Sequence, residues 1–258
     1  MTDAVTINKL GFAYPRSGWV FRNYSANVPK GSVFSILGPN GRGKTTLLKT
    51  VLGLHQPTEG TVEVSGQTAF VPQIFQVTFA FTVLDMVVMG RAKRIGLFSR
   101  PGKEDEQAAL DCLDKFSMAE YAHRPFHELS GGQRQLVILA RALAAQADIL
   151  VMDEPTSALD LKNQSLVLDW IARISGELGL TVIFTTHHPH HALAAADNVL
   201  LMLDENEYAA GRAGEVLTEE KLERLYSVPL KHIRFEYGGR QIDTFAPVFM
   251  PKESDGRK

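Results

Sequence analysis

Gly38-Pro39-Asn40-Gly41-Arg42-Gly43-Lys44-Thr45-Thr46 follows the apolar run Ser32-Val33-Phe34-Ser35-Ile36-Leu37 and precedes Leu47-Leu48-Lys49-Thr50-Val51-Leu52. The first run, entered from the turn-prone Pro29-Lys30-Gly31, reads as a strand, and the last as a helix. Between them, Gly38-x-x-x-x-Gly43-Lys44-Thr45 matches the phosphate-binding loop pattern in full, including its flanking strand and helix. Glycines let backbone N–H groups turn inward around phosphate oxygens, and the N-terminus of the following helix adds positive partial charge. Lys44 is then placed to reach the β- and γ-phosphates of a nucleotide, and the Thr45 hydroxyl to ligate Mg²⁺.

Further along, Ile149-Leu150-Val151-Met152 and Thr181-Val182-Ile183-Phe184 read as two more short buried strands that end in polar residues. Between them Leu166, Trp170, Ile174 and Leu178 recur every four residues and stop at Gly179, which predicts one apolar helix face. Strand, helix, strand implies a parallel sheet, hence an α/β fold. Residues 4–30, rich in Tyr, Phe and Val with a turn at Pro15-Arg16-Ser17-Gly18, predict an N-terminal antiparallel β layer. Residues 78–146 and Thr218–Tyr226 read as helical. The tail after Pro229 carries the β-prone Ile233, Phe235, Tyr237 and Ile242 before a polar end.

The chain has 258 residues, 27 Lys+Arg against 29 Asp+Glu, a net charge of −2 and 45% hydrophobic residues. Near-neutrality argues against a nucleic-acid-coating protein, and the apolar content against disorder. The single cysteine, Cys112, allows no internal disulfide, which fits a reducing, cytoplasmic compartment. Met1–Thr6 lacks the basic start and apolar run of a secretory signal. Pro72, Gln73, Gln76, Asp85 and Arg141 interrupt the greasiest stretches, so the chain is not expected to span a membrane alone.

Asp153 and Glu154 end the strand 149–152, at the carboxyl edge of the sheet where α/β ligand sites form. Asp153 is the natural partner for Mg²⁺, and Glu154 is suited to polarise the water that attacks a γ-phosphate. The same pair also reads as a solvated cap on the next helix. Leu129-Ser130-Gly131-Gly132-Gln133-Arg134-Gln135, opening a helix through Leu143, separates the two readings, because it resembles the signature sequence of ABC-type ATPases. Other positions match that family in order: Gln73 in Val71-Pro72-Gln73 resembles its Q-loop, Ser157-Ala158-Leu159-Asp160 its D-loop, and His187 its switch histidine. Tyr14 matches the aromatic that stacks on adenine, although propensity alone also allows a strand residue packed on the β layer.

The resemblance covers about residues 5–215 and implies a P-loop NTPase core of the ABC type, hydrolysing ATP with Mg²⁺. It implies segments 1–77 and 147–215 as the two parts of the core, 78–146 as a helical subdomain and 216–258 as a short extension. It further implies a head-to-tail dimer, each ATP held between one copy's Gly38–Thr46 loop and the other copy's Ser130, Gly131, Gly132 and Gln133. Within the site, His187 would contact the γ-phosphate. Gln73 would ligate the metal and sense the phosphate, and Asp160 would mark the D-loop. Two positions depart from the family pattern: Arg42 stands where a small residue is usual, and His188 where an Asp is common. His187, His188, His190 and His191 together also invite a zinc reading.

What the ATPase drives is read from weaker signals. Ile74-Phe75-Gln76-Val77-Thr78-Phe79-Ala80-Phe81 is dense in aromatics, consistent either with core or with a groove receiving a helix of a transmembrane permease, with Phe79 and Phe81 as its candidate residues. The basic run Arg91, Lys93, Arg94, Arg100 and Lys103 reads as a solvated face or as a lipid-headgroup contact. Phe81–Arg91 and Thr186-His187-His188-Pro189 resemble importer ATPases serving iron-siderophore, haem, cobalamin and other metal chelates, including molybdate-type relatives, with zinc or manganese as further alternatives. Such a subunit lies on the cytoplasmic face of the membrane and works indirectly with a substrate-binding protein. Soluble mechanochemical ATPases of the DNA-repair or ribosome-associated kind share these motifs, but no sustained heptad run and only one motif set occur here. A nucleoside kinase would leave the signature and His187 unexplained.

Overall fold

The computed structural model describes residues 2–16, 18–73, 79–95, 99–157 and 159–249. Ala158 and the stretch Ile74–Thr78 singled out above lie outside the described residues.

In chain order the elements are β1 (Asp3–Tyr14), β2 (Gly18–Pro29), β3 (Val33–Leu37), α1 (Lys44–Val51), β4 (Glu59–Val64), β5 (Thr68–Val71), α2 (Val83–Val88), α3 (Lys103–Asp114) and α4 (Gly131–Ala144). There follow β6 (Ile149–Met152), α5 (Leu161–Leu178), β7 (Thr181–Thr186), α6 (Pro189–Ala195), β8 (Asn198–Met202), β9 (Tyr208–Arg212), α7 (Ala213–Val216), α8 (Glu219–Tyr226), β10 (Leu230–Tyr237) and β11 (Arg240–Pro247). The central sheet has the order β5-β6-β7-β3-β8-β9, parallel except for the antiparallel β8–β9 pair. A separate antiparallel sheet, β2-β1-β4, forms the β layer, and β10–β11 is a hairpin.

Alternation along the central strands divides the core. Ile36, Ile149, Val151, Ile183, Leu200 and Met202 face one way, onto α1 and the β layer with Leu10, Phe21, Leu47 and Leu48. Leu150, Met152, Val182 and Phe184 face the other way, onto α4 and α5. A third cluster joins Leu37, Val199 and Leu201 to α8 and the hairpin through Leu222, Leu225 and Phe245. With both faces covered, β3, β6 and β7 are buried along their whole length and largely apolar, as in buried parallel sheets.

The predicted strands, the helix after the phosphate-binding loop and the helical stretch before β6 are present. The α5 face is displaced from the expected one: Val167, Trp170, Ile171, Ile174 and Ser175 are buried, whereas Leu166 and Leu178 are exposed. A strict four-residue spacing drifts around a helix of 3.6 residues per turn, so the ends of that series rotate off the core. No helix among the described residues is long and apolar enough to cross a membrane.

Candidate nucleotide and phosphate site

The loop after β3 turns into α1 at Gly43, whose φ of 100° is costly for any residue with a Cβ, and a Cβ there would lie 2.3 Å from Val20 Cγ1. That close approach gives the second loop glycine a steric reason beyond its backbone N–H. Lys44 is folded back over the loop, its Nζ donating to the Gly38 and Pro39 carbonyls at 2.9 and 3.1 Å. The same ammonium pairs with Glu154 Oε1 at 2.9 Å.

Asp153 and Glu154 follow β6 and are both buried. Thr45 Oγ1 donates to Asp153 Oδ2 at 2.8 Å, and Thr185 Oγ1 donates to Asp153 Oδ1 at 2.7 Å. A hydroxyl and a carboxylate side by side are hard oxygen donors, the set that suits Mg²⁺. Glu154 has φ 44°, a left-handed conformation that is strained for a residue with a side chain, and its N–H is held by Thr185 Oγ1 at 2.8 Å. The other carboxylate oxygen, Oε2, takes contacts from Gln73 Nε2 at 3.3 Å and His187 Nδ1 at 3.1 Å. A carboxylate only accepts, so Nδ1 carries the proton in that contact. Lys44, Gln73 and His187, drawn from three separate parts of the chain, therefore converge on one carboxylate. The pair is not a solvated helix cap.

Gln73 bonds to Glu154 and, at 3.5 Å, to Ser157 Oγ rather than to Thr45 or Asp153. Tyr14 ends β1 beside the loop, its hydroxyl 3.4 Å from Thr46 Oγ1, its ring edge-on to Phe12 and 41% exposed. Arg42 turns away from the loop to Asp204 Oδ1 at 3.1 Å, which explains how a large residue is accommodated there. Asp160 caps α5, accepting from the Asn163 N–H at 2.8 Å. Ser130 caps α4 in a reciprocal pair with Gln133, and Ser130 and Gly131 are exposed. A Cβ on Gly132 would lie 2.4 Å from Asn163 Nδ2, so the first turn of α5 sits against the signature.

The four histidines pack ring against ring, tilted or edge-on, with centroids 4.0 Å apart for His187–His188, 4.7 Å for His188–His191 and 4.4 Å for His190–His191. Among the described residues no group of three or more His, Cys, Asp or Glu side chains is arranged to hold a metal, so the zinc reading is replaced by packing. His191 Nδ1 is engaged by Thr156 Oγ1 at 3.1 Å. Burial, followed by the neighbouring imidazoles, pushes His188 down to about 4 and His191 to about 3.

Phe79 is 72% exposed, which removes it from the core, while Phe81 is half-buried. Phe81, Asp85, Val88, Met89, Ala92 and Ile95 line an 870 Å³ groove. Of the basic run, Arg91 is not solvated: its side chain is 11% exposed and paired with Asp105 at 2.6 Å, and its Nη1 is buried without a hydrogen-bond partner among the described residues. Lys93, Arg94, Arg100 and Lys103 are exposed. Sequence reasoning missed Thr185, Asn163 and Tyr226, whose hydroxyl donates to the His187 carbonyl at 3.0 Å. Of these only Thr185, in the Thr-Thr that precedes His187, had a signal in its position.

The ABC transporter family matches residues 21–157. The chain is 39% identical over 249 residues to the molybdate import ATP-binding protein MolC of Haemophilus influenzae, covering 96% of this chain and 98% of the relative. It is 36% identical over 241 residues to an iron chelatin transport ATP-binding protein of Helicobacter pylori, assigned as probable, covering 88% and 94%. Among solved structures, an inward-facing transporter assigned to the metal-chelate type has a TM-score of 0.91 at 38% identity, covering 96% of this chain and 98% of that one. The cassette MJ0796, a dimer in a post-hydrolysis state with ADP and Pi, has a TM-score of 0.72 at 27% identity, covering 81% and 98%. With the phosphate-binding loop, the acid pair and the signature in place, the chain belongs to the ABC transporter ATP-binding family and is an ATP-hydrolysing transporter subunit.

Proposed function

We propose that this chain powers import of a metal chelate, of the iron-siderophore kind, through a separate transmembrane permease. The observation that carries the catalytic part is the convergence of Lys44, Gln73 and His187 on Glu154. When ATP enters, Lys44 exchanges Glu154 for the β- and γ-phosphates, which frees the carboxylate to accept a proton from the attacking water. Water oxygen bonds to the γ-phosphorus, the bond to the β-phosphate oxygen breaks, and ADP and phosphate result. Thr45 and Asp153 would hold Mg²⁺, with Gln73 reaching it on closure, and the bound ion would neutralise charge on the phosphates. His187, turning from Glu154, contacts the γ-phosphate, and Tyr14 stacks on the adenine.

Ser130–Gln133 share none of the observed hydrogen bonds with Gly38–Thr46, and Ser130 and Gly131 are open to solvent. This supports a head-to-tail dimer in which the signature completes the partner's site, as does the dimeric state of MJ0796. In this reading 1–77 and 147–215 form the ATPase core, 78–146 the signature-bearing helical subdomain, and 216–258 an extension. The 870 Å³ groove beside Phe81, lined by Val88, Met89 and Ile95 with Lys93 at its edge, suits a short permease helix that offers apolar and acidic groups. The subunit then sits on the cytoplasmic face of the membrane, with a binding protein acting across it.

A second cargo reading, molybdate, is favoured by the 39% identity to MolC. The test uses the chain assembled with its permease in nanodiscs, adding binding protein loaded with ferric siderophore or with molybdate. ATPase stimulation by the ferric chelate alone supports the first reading, and by molybdate alone the second. If Glu154→Gln, solubilised from membranes with ATP, copurifies only with soluble partners, ribosomes or DNA, the transporter assembly fails.

A further inference from the structure

β7 ends at Thr186, so His187 leaves the sheet ladder and its peptide must find other partners before α6 begins at Pro189. On one side the Thr186 hydroxyl accepts from the His188 N–H at 3.1 Å. On the other, the Tyr226 hydroxyl donates to the His187 carbonyl at 3.0 Å. Tyr226 is the last residue of α8, where Ser227 at φ 55° closes the helix with its N–H on the Glu223 carbonyl. α8 is held by Leu222 and Leu225, which pack in one cluster with Leu37 at the end of β3 and Ala192 of α6. The phenol therefore reaches the site from a segment anchored to both the strand that leads into the phosphate loop and the helix that follows the histidine. Its proton is secure, because burial and the nearby Glu154 charge raise its pKa.

We propose that Tyr226 is a positioning residue for His187, fixing its main chain so that the imidazole meets the γ-phosphate, and that the segment after residue 215 controls hydrolysis through this hydroxyl. The inference rests on the reading of His187 given above.

Full-length wild type, Tyr226→Phe, His187→Ala, the double variant and Leu225→Ala are compared for ATPase kcat and KM and for equilibrium binding of a fluorescent ATP analogue. Loss of one neutral hydrogen bond to the His187 main chain predicts a roughly three- to tenfold lower kcat for Tyr226→Phe, with KM and analogue binding unchanged. In the His187→Ala background the same change should move the residual rate by less than about twofold, since a residue acting through His187 has nothing left to position. Leu225→Ala, which loosens the helix that carries the hydroxyl, should lower Tm and bring kcat down in the same direction as Tyr226→Phe, with KM unchanged. Unchanged kcat in Tyr226→Phe, an equal fall in both backgrounds, or wild-type kcat in Leu225→Ala despite a lower Tm each overturns the proposal. Wild-type turnover in His187→Ala instead overturns the role of the histidine itself.

Discussion

Lys44 and Glu154 are ion-paired inside the protein, ammonium to carboxylate at 2.9 Å, with side chains only 4% and 9% exposed. The pair joins the cation of the phosphate-binding loop to a carboxylate that follows β6. Removing one partner of a buried pair leaves the other charge desolvated, at a cost of about 3–5 kcal/mol. Glu154 keeps Gln73 and His187, so Lys44→Ala should lie near the lower end, about 3 kcal/mol of lost stability in urea. The same variant should weaken ATP binding by tenfold or more, about the 1.5–3 kcal/mol of one charged hydrogen bond. Unchanged urea midpoint and ATP affinity would show that the pair contributes to neither.

Tyr14 is anchored at one edge by Phe12 and leaves 41% of its surface open beside Thr46. A rigid, half-exposed ring at the mouth of a phosphate loop is suited to base stacking, worth roughly 1–3 kcal/mol per base. Tyr14→Ala should therefore raise the ATP KM about five- to 150-fold with little effect on kcat, while Tyr14→Trp should keep it. Steady-state titration with ATP reads this directly, and an unchanged KM in the alanine variant removes Tyr14 from the site.

The phosphate loop was legible because its chemistry lies in consecutive residues: glycines, Lys44 and Thr45 need no distant partner to be recognised. Asp153 and Glu154 were legible through the strand they end, yet the reason for their burial, three donors from positions 44, 73 and 187, exists only in the fold. Arg42 read as an anomaly for the same reason, since its partner Asp204 is 162 residues away. β4 went unseen because nearly all of Glu59–Val64 is exposed, which erases the apolar alternation that betrays a strand. Tyr226 carries no motif at all: a tyrosine ending an amphipathic helix looks like packing until its hydroxyl is seen on His187.

His191 is 3% exposed and burial holds its pKa near 3, far below the ordinary value near 6.5. Between those values the unfolded chain binds a proton that the folded chain refuses, so stability is complete above about pH 6.5 and falls as the pH drops towards 3. From pH 7 to 5 this single group should remove about 2 kcal/mol. His191→Gln should flatten that slope in urea denaturation, even if the lost Thr156 contact lowers stability at every pH. A slope identical to wild type would place the acid sensitivity elsewhere.

Gly132 lies where the signature meets α5, and a methyl group there would come within 2.4 Å of the Asn163 amide. Asp160 accepts the Asn163 backbone N–H at 2.8 Å and so fixes its main chain, and the Asn163 Cγ would also lie 2.7 Å from the methyl, so turning the terminal amide alone does not relieve the clash. Gly132→Ala should therefore shift the first turn of α4, which in the proposed dimer would face the partner's phosphate. Overpacking of this kind costs about 1–3 kcal/mol, and loss of one oriented donor costs about 10²-fold in rate. Turnover should fall accordingly while a lone protomer binds ATP normally, because its own loop is untouched. Gly132→Ala combined with Asn163→Ala should recover much of the rate, since the three atoms nearest the added methyl all belong to that side chain. Ser130→Arg, which obstructs the same surface without touching Asn163, should gain nothing from the second substitution. If Asn163→Ala rescues neither variant, the contact between α4 and α5 does not set the geometry of the signature.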